Sequence, residues 1–265
     1  MNRLTLGMLT FVTVACTLVA IPACSRVAPC LASAAQTELW SASIPATALL
    51  IGTLTLLTWS LRLCHLVIRT RHLVAQIPAC AYPRQLEKAV DRTGASRVIC
   101  VETDATLAFC AGALRPTIYL SLGAVRRLRP EELDAVLLHE MHHGRQRDPL
   151  RHAMALALRD VCFYLPILNW LSRHQRENAE LRADQAAMQV LGPRPLAGAL
   201  WALGSTPAPS LVAAFQGVAK LRAAQVLGDP LPVRRPSGSL WLGSAVGIFA
   251  LLMTANCVVQ IVPPI

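Results

Sequence analysis

The chain has 265 residues, 54% of them apolar and only 15% charged, with a mean hydropathy of +0.46. That balance lies to the oily side of an ordinary soluble domain and points to a membrane protein. The formal net charge is +10, but the arginines flank apolar stretches and no helix-turn-helix, zinc-finger or RNA-binding signature accompanies them. Direct nucleic-acid binding is therefore not expected, and anionic lipid headgroups are the expected counterpart.

In chain order, Leu4 to Ala23 is uncharged and long enough to span a bilayer. Ile21-Pro22-Ala23-Cys24 resembles a lipoprotein cleavage site, but proline fits poorly there, and an uncleaved anchor is the preferred reading. Ile44 to Leu61 is a second predicted span, ended by Arg62 and His65, and Leu240 to Val262 is a third. Ala153 to Leu171 carries Arg159 and Asp160 near its middle, which would be costly in lipid, so it reads as a helix of the soluble domain lying against the membrane. Between the first two spans Arg26 stands against Glu38, whereas Arg62, Arg69, Arg71, Arg84 and Lys88 follow the second. Arg3 precedes the first span and Arg234-Arg235 the last. The bias predicts an inside N-terminus, a short outside loop, a cytoplasmic domain over about residues 62 to 238 and an outside C-terminus. The nine cysteines are scattered without a CxxC pair and read mostly as small hydrophobes. Cys24 and Cys30, in the predicted outside loop, are open to oxidation.

Residues 84 to 96 predict a short helix stopped by Gly94. Strands are expected at Arg97 to Glu102, Ala105 to Cys110 and Thr117 to Ser121. Thr117 to Ser121 is the expected open edge, able to take an extended peptide as an added strand, with an ordinary core strand as the alternative.

A helix should follow from Pro130, with Glu131 and Glu132 in its positive first turn and Gly144 as its stop, confirmed by Asp148-Pro149. It contains His139-Glu140-Met141-His142-His143. Residues i and i+4 share a helical face, so His139 and His143 can hold one zinc ion with Glu140 beside it as general base. His142, at i+3, points off that face and is expected to be an outer-sphere or solvated residue. The bland alternative is a surface helix with a polar face. A catalytic zinc takes three protein ligands and keeps one position free, so one further carboxylate suffices. Residues 173 to 191 predict a second helix on which Glu180 and Asp184 share a face, Glu180 able to ligate and Asp184 to orient a ligand histidine. Glu177 lies on a similar face and is the rival ligand, and a merely solvated charged helix is the alternative. Downstream, Gly192-Pro193-Arg194-Pro195 breaks the chain, Leu196 to Leu203 is a short apolar helix, and Thr206-Pro207-Ala208-Pro209 is a linker. Leu211 to Leu227 then reads as an amphipathic helix with Lys220 and Arg222 on its polar side.

Several of these segments together resemble the BlaR/MecR-type membrane metallopeptidases of bacteria. They are Arg115-Pro116-Thr117-Ile118-Tyr119-Leu120-Ser121, Leu128-Arg129-Pro130-Glu131-Glu132-Leu133, His139 to His143 with Arg147-Asp148-Pro149, then Pro166, Trp170 and Glu180-Leu181-Arg182-Ala183-Asp184. The resemblance covers roughly residues 80 to 192 and the apolar helices around them, and the HtpX-type membrane proteases share the ligand pattern. It implies Glu180, not Glu177, as third ligand. Ala183 departs from the cysteine common before the Asp. The penicillin-binding domain of the antibiotic-sensing members has no counterpart before Pro263-Pro264-Ile265, so a direct beta-lactam sensor is not expected.

The expected fold is mainly α with a small β-sheet, a multi-pass membrane protein with a zincin-like catalytic domain. Two N-terminal transmembrane helices occupy residues 1–66, the metallopeptidase domain 67–238 and a C-terminal transmembrane helix 239–265. The expected function is zinc-dependent peptide hydrolysis, with one Zn2+ on His139, His143 and Glu180, Glu140 as catalytic base and Asp184 holding a ligand imidazole. His174 and Arg182 are conceivable oxyanion donors, unranked. By resemblance the substrate is a transcriptional repressor or another protein near the inner membrane face. Membrane quality control, or a signalling scaffold with a structural zinc, are the alternatives.

Overall fold

The computed structural model describes residues 37–204, 212–232 and 234–261. Leu4 to Ala23, Cys24, Cys30 and the linker Thr206 to Pro209 lie outside them. Helix α1, Thr37–Ala75, does not stop at Arg62. Leu61 to Val74 holds neither Gly nor Pro, the first breaker is Pro78, and a charged side chain does not by itself end a helix. Within α1, Ile51–Ala75 is long and apolar enough to cross a membrane. Helix α9, Gly238–Ile261, covers the predicted C-terminal span, but its apolar part among the fully described residues, Gly238–Thr254, is shorter than a span. One candidate span is therefore present among the described residues.

A compact unit runs from Trp59 to Gly238. After β1 (Ala79–Cys80) and α2 (Arg84–Thr93) come β2 (Val98–Val101), β3 (Ala108–Ala111) and β4 (Thr117–Ser121). Gly94 caps α2 with φ 65°, as its expected role as a stop requires. The sheet has the order β1-β2-β4-β3, with β2 and β4 parallel and the outer pairs antiparallel. Thr117 to Ser121 is thus an interior strand and not the expected edge. β3 folds back onto its outer side, pairing Phe109 with Tyr119 and stacking their rings at 5.1 Å. The short helix α3, Leu122–Arg127, starts at once because the Ser121 hydroxyl accepts a hydrogen bond from the Ala124 amide at 3.0 Å.

Helix α4, Pro130–Gln146, has Pro at its start, and the Glu132 carboxylate accepts from the Arg129 backbone amide at 2.9 Å. Gly144 does not stop it, since nothing about that position demands a non-helical φ. The helix ends instead at Arg147, which takes the left-handed conformation at φ 54°. Leu133, Val136, Leu137 and Met141, at three-to-four spacing, bury one face of α4 in a core shared with Leu86, Cys100, Ile118 and Leu120. Arg92 on α2 grips Asp134 with two hydrogen bonds of 2.7 Å. α4 is thereby fixed against both the sheet and α2.

The expected single helix Ala153 to Leu171 is two. α5, Asp148–Val161, ends at Cys162, and α6, Pro166–Leu191, begins with Pro166, whose ring favours a helix start and forbids continuation from the preceding turn. The charges in α5 are paired, Asp160 accepting from Arg62 at 2.7 Å and from Arg159 at 2.6 Å. Gly192 caps α6, Pro193 opens α7 (Pro193–Gly204), and α8 spans Val212–Leu227.

Candidate metal centre

α4 presents His139 and His143 on one buried face, and α6 packs across it. The two Nε2 atoms lie 3.1 Å apart. Glu180 brings Oε2 to 3.5 Å from His139 Nε2 and Oε1 to 3.7 Å from His143 Nε2. These three side chains can place one ligand atom each within 4.8 Å of one another. The other ring nitrogens are already engaged, His139 Nδ1 with Asp184 Oδ1 at 2.8 Å and His143 Nδ1 with Asp148 Oδ2 at 2.9 Å. When Nδ1–H, donated to a carboxylate, is the one ring proton of each histidine, both Nε2 lone pairs and a carboxylate oxygen converge on one point; with no cation there, His139 takes up a proton and donates to Glu180 instead. Acceptors so placed repel unless a cation lies among them, and nitrogen with carboxylate oxygen is a donor set that zinc takes. The residues therefore fit the metal.

The electrostatics follow from the same contacts. Burial disfavours the charged form of His139, but the Asp184 and Glu180 carboxylates outweigh it and hold the ring up at about 9. Burial also opposes ionisation of Glu180, yet the hydrogen bond from His139 and the charges of His139, Arg222 and His143 bring it down to about 2. Glu140 lies buried beside the pair, and burial raises its carboxyl above the ordinary value against the pull of the two histidines.

Each residue singled out in the sequence has a definite place. His139, His143 and Glu180 come together, Asp184 is fully buried against His139, and Glu140 lines the same cavity of about 320 Å³. Glu177 instead pairs with Arg234 at 2.9 Å. His142 has its Nε2 buried without a hydrogen-bond partner. Neither conceivable oxyanion donor lines the cavity: His174 stacks on Trp170 at 4.7 Å, and Arg182 is exposed. Besides His139 and His143, its cationic and imidazole walls are Arg151, His152, Arg176 and Arg222. Burial, with Arg176 and Arg159 nearby, pushes His152 down to about 4 and keeps it neutral.

Three participants escape sequence reasoning. Asp148, taken as part of a helix stop, becomes the partner of His143 because the left-handed turn at Arg147 brings the chain back toward α4. Arg222, assigned to a polar helix face, points inward to Asp184 and Glu180. Its isolation between Leu221 and Ala223 was the only local signal. The third is one outer strand of the sheet, β3, whose Ala108, Phe109 and Cys110 line the cavity. Burial, with Glu140 and Asp148 adding to it, lifts the Cys110 thiol to about 12, so it stays protonated there.

No curated protein matches the chain. The sequence profile of the BlaR1 peptidase M56 family matches residues 14–195, a segment that holds both helices of the candidate metal centre and the sheet edge beside them, and the chain belongs to that family.

Proposed function

We propose that the protein is a membrane zinc metalloendopeptidase in which His139, His143 and Glu180 hold one zinc ion. A zinc bound there supplies Lewis-acid polarisation of the scissile carbonyl and lowers the pKa of a water molecule. Glu140 accepts the proton of the attacking water and returns it to the leaving amine. A carboxylate raised by burial suits that exchange better than a fully solvated one. Asp184 and Asp148 hold the two imidazoles in the tautomer that turns Nε2 to the metal. An extended substrate adds to the free edge of β3, which borders the same cavity.

The single observation that carries this reading is the convergence of ligand atoms from His139, His143 and Glu180 beside a buried carboxylate, since a purely structural metal needs no general base. In our reading the substrate is a protein near the inner membrane face, a transcriptional repressor in the regulatory case. Transmembrane helices at 1–66 and 239–265 flank a cytoplasmic catalytic domain. Zinc content and casein or self-cleavage, measured on detergent-purified wild type and Glu140→Gln, test the proposal. The variant should keep its zinc and lose cleavage by about 10²-fold or more. A variant as active as wild type would remove Glu140 from the mechanism.

A further inference from the structure

We infer that Arg222 is a positioning residue of the metal site, a guanidinium brace that binds both carboxylates of α6 and so sets the third ligand and the partner of the first. The inference rests on the metallopeptidase reading of that site. Arg222 donates from Nε to Asp184 Oδ2 and from Nη2 to Asp184 Oδ1, both at 2.7 Å, a two-pronged contact that matches the flat fork of guanidinium to carboxylate. Its third nitrogen, Nη1, donates to Glu180 Oε2 at 3.0 Å. One side chain therefore spans the two acidic residues that stand a turn apart on α6.

Asp184 is fully buried and accepts from His139 as well, and Glu180 is mostly buried. Without a cation beside them, two carboxylates in this setting would repel each other and lose their solvation with nothing in return. Arg222 counters that charge, and by holding Oε2 it leaves Oε1 of Glu180 facing His143. Lysine cannot substitute fully, because a single ammonium lacks the planar fork that reaches both carboxylates. The brace comes from α8, which docks on α6 through Gln225 Nε2 and the Leu181 carbonyl at 2.9 Å. α8 lies wholly beyond residues 14–195, the segment that the family profile matches. The chain completes its metal site from outside the matched segment.

The test is a zinc titration of detergent-purified full-length protein against a competing chelator, comparing wild type with Arg222→Ala and Arg222→Lys, alongside thermal melts of the metal-free forms. Loss of an outer ligand partner typically weakens metal binding about 10–100-fold, which is the effect expected for Arg222→Ala, with a smaller loss for Arg222→Lys. Added guanidinium ion at millimolar concentration should restore part of the affinity of Arg222→Ala and none of that of wild type, an effect that a merely structural arginine would not produce. Zinc affinity of Arg222→Lys equal to wild type, or a weakened Arg222→Ala that guanidinium does not rescue, overturns the inference. Should Arg222→Ala not fold, Arg222→Lys decides alone. A wild type that binds no zinc would overturn the metallopeptidase reading itself, a result separate from any difference between variants.

Discussion

Glu177 Oε1 accepts a hydrogen bond from Arg234 Nη1 at 2.9 Å, and this contact separates two carboxylates that look interchangeable on α6. Glu180, three residues on, turns to the two histidines instead. Zinc affinity should distinguish them. Glu180→Gln should lose more than the roughly 10–100-fold expected of an outer partner, whereas Glu177→Gln should leave affinity near wild type. Its lost pair, exposed on the arginine side, is worth about 0–1 kcal/mol of stability. Chelator competition on both variants is the measurement, and a reversed order would make Glu177 the ligand.

The free edge of β3 offers particular backbone groups. The Ser121 amide donates to the Leu107 carbonyl at 2.9 Å, so by antiparallel alternation Phe109 and Ala111 face β4 while Ala108 and Cys110 turn their N–H and C=O groups outward. A peptide bound as an added strand should hydrogen-bond to these two residues. N-methylation of a cleaved peptide, moved along its backbone, should raise KM by about tenfold at alternate positions, as loss of one such bond implies. A uniform response along the peptide would rule out strand addition.

His152 predicts an acid-dependent loss of stability. It is held near 4 in the folded protein by burial and by Arg176 and Arg159, against an ordinary value of 6.5. Between those values the unfolded chain binds more protons than the folded one, so stability is fully present above 6.5 and falls as pH falls through the window. His142, also lowered by burial and by His143, acts in the same direction. Melting temperatures of metal-free protein between about pH 7 and pH 5 should therefore fall less steeply in His152→Gln than in wild type. Equal slopes would sink this assignment.

Gly123 is a packing requirement. A Cβ there would meet the backbone carbonyl oxygen of Asp104 closer than real contacts allow, and a main-chain atom cannot swing aside as a side chain can. Gly123→Ala should destabilise the protein by about 1–3 kcal/mol. Chemical unfolding in detergent would measure it, and a neutral result would mean that the 103–107 loop is free to shift.

Much of the candidate metal centre was legible because it is local. The spacing of His139 and His143 needs only the periodicity of one helix, and Glu180 with Asp184 needs only that of another. The strand Thr117 to Ser121 and the cap at Gly94 depend on neighbouring residues in the same way. Three things were decided only by tertiary structure. The pairing order made β3 rather than β4 the open edge, because strand order depends on hydrogen bonds between segments distant in sequence. The left-handed turn at Arg147 brought Asp148 back to His143, and the docking of α8 on α6 turned Arg222 from an apparent surface charge into the partner of two buried carboxylates. A sequence records which charges a helix carries. Which of them are buried together depends on what packs across it, because a charge enters the interior only where another chain segment brings its counterion.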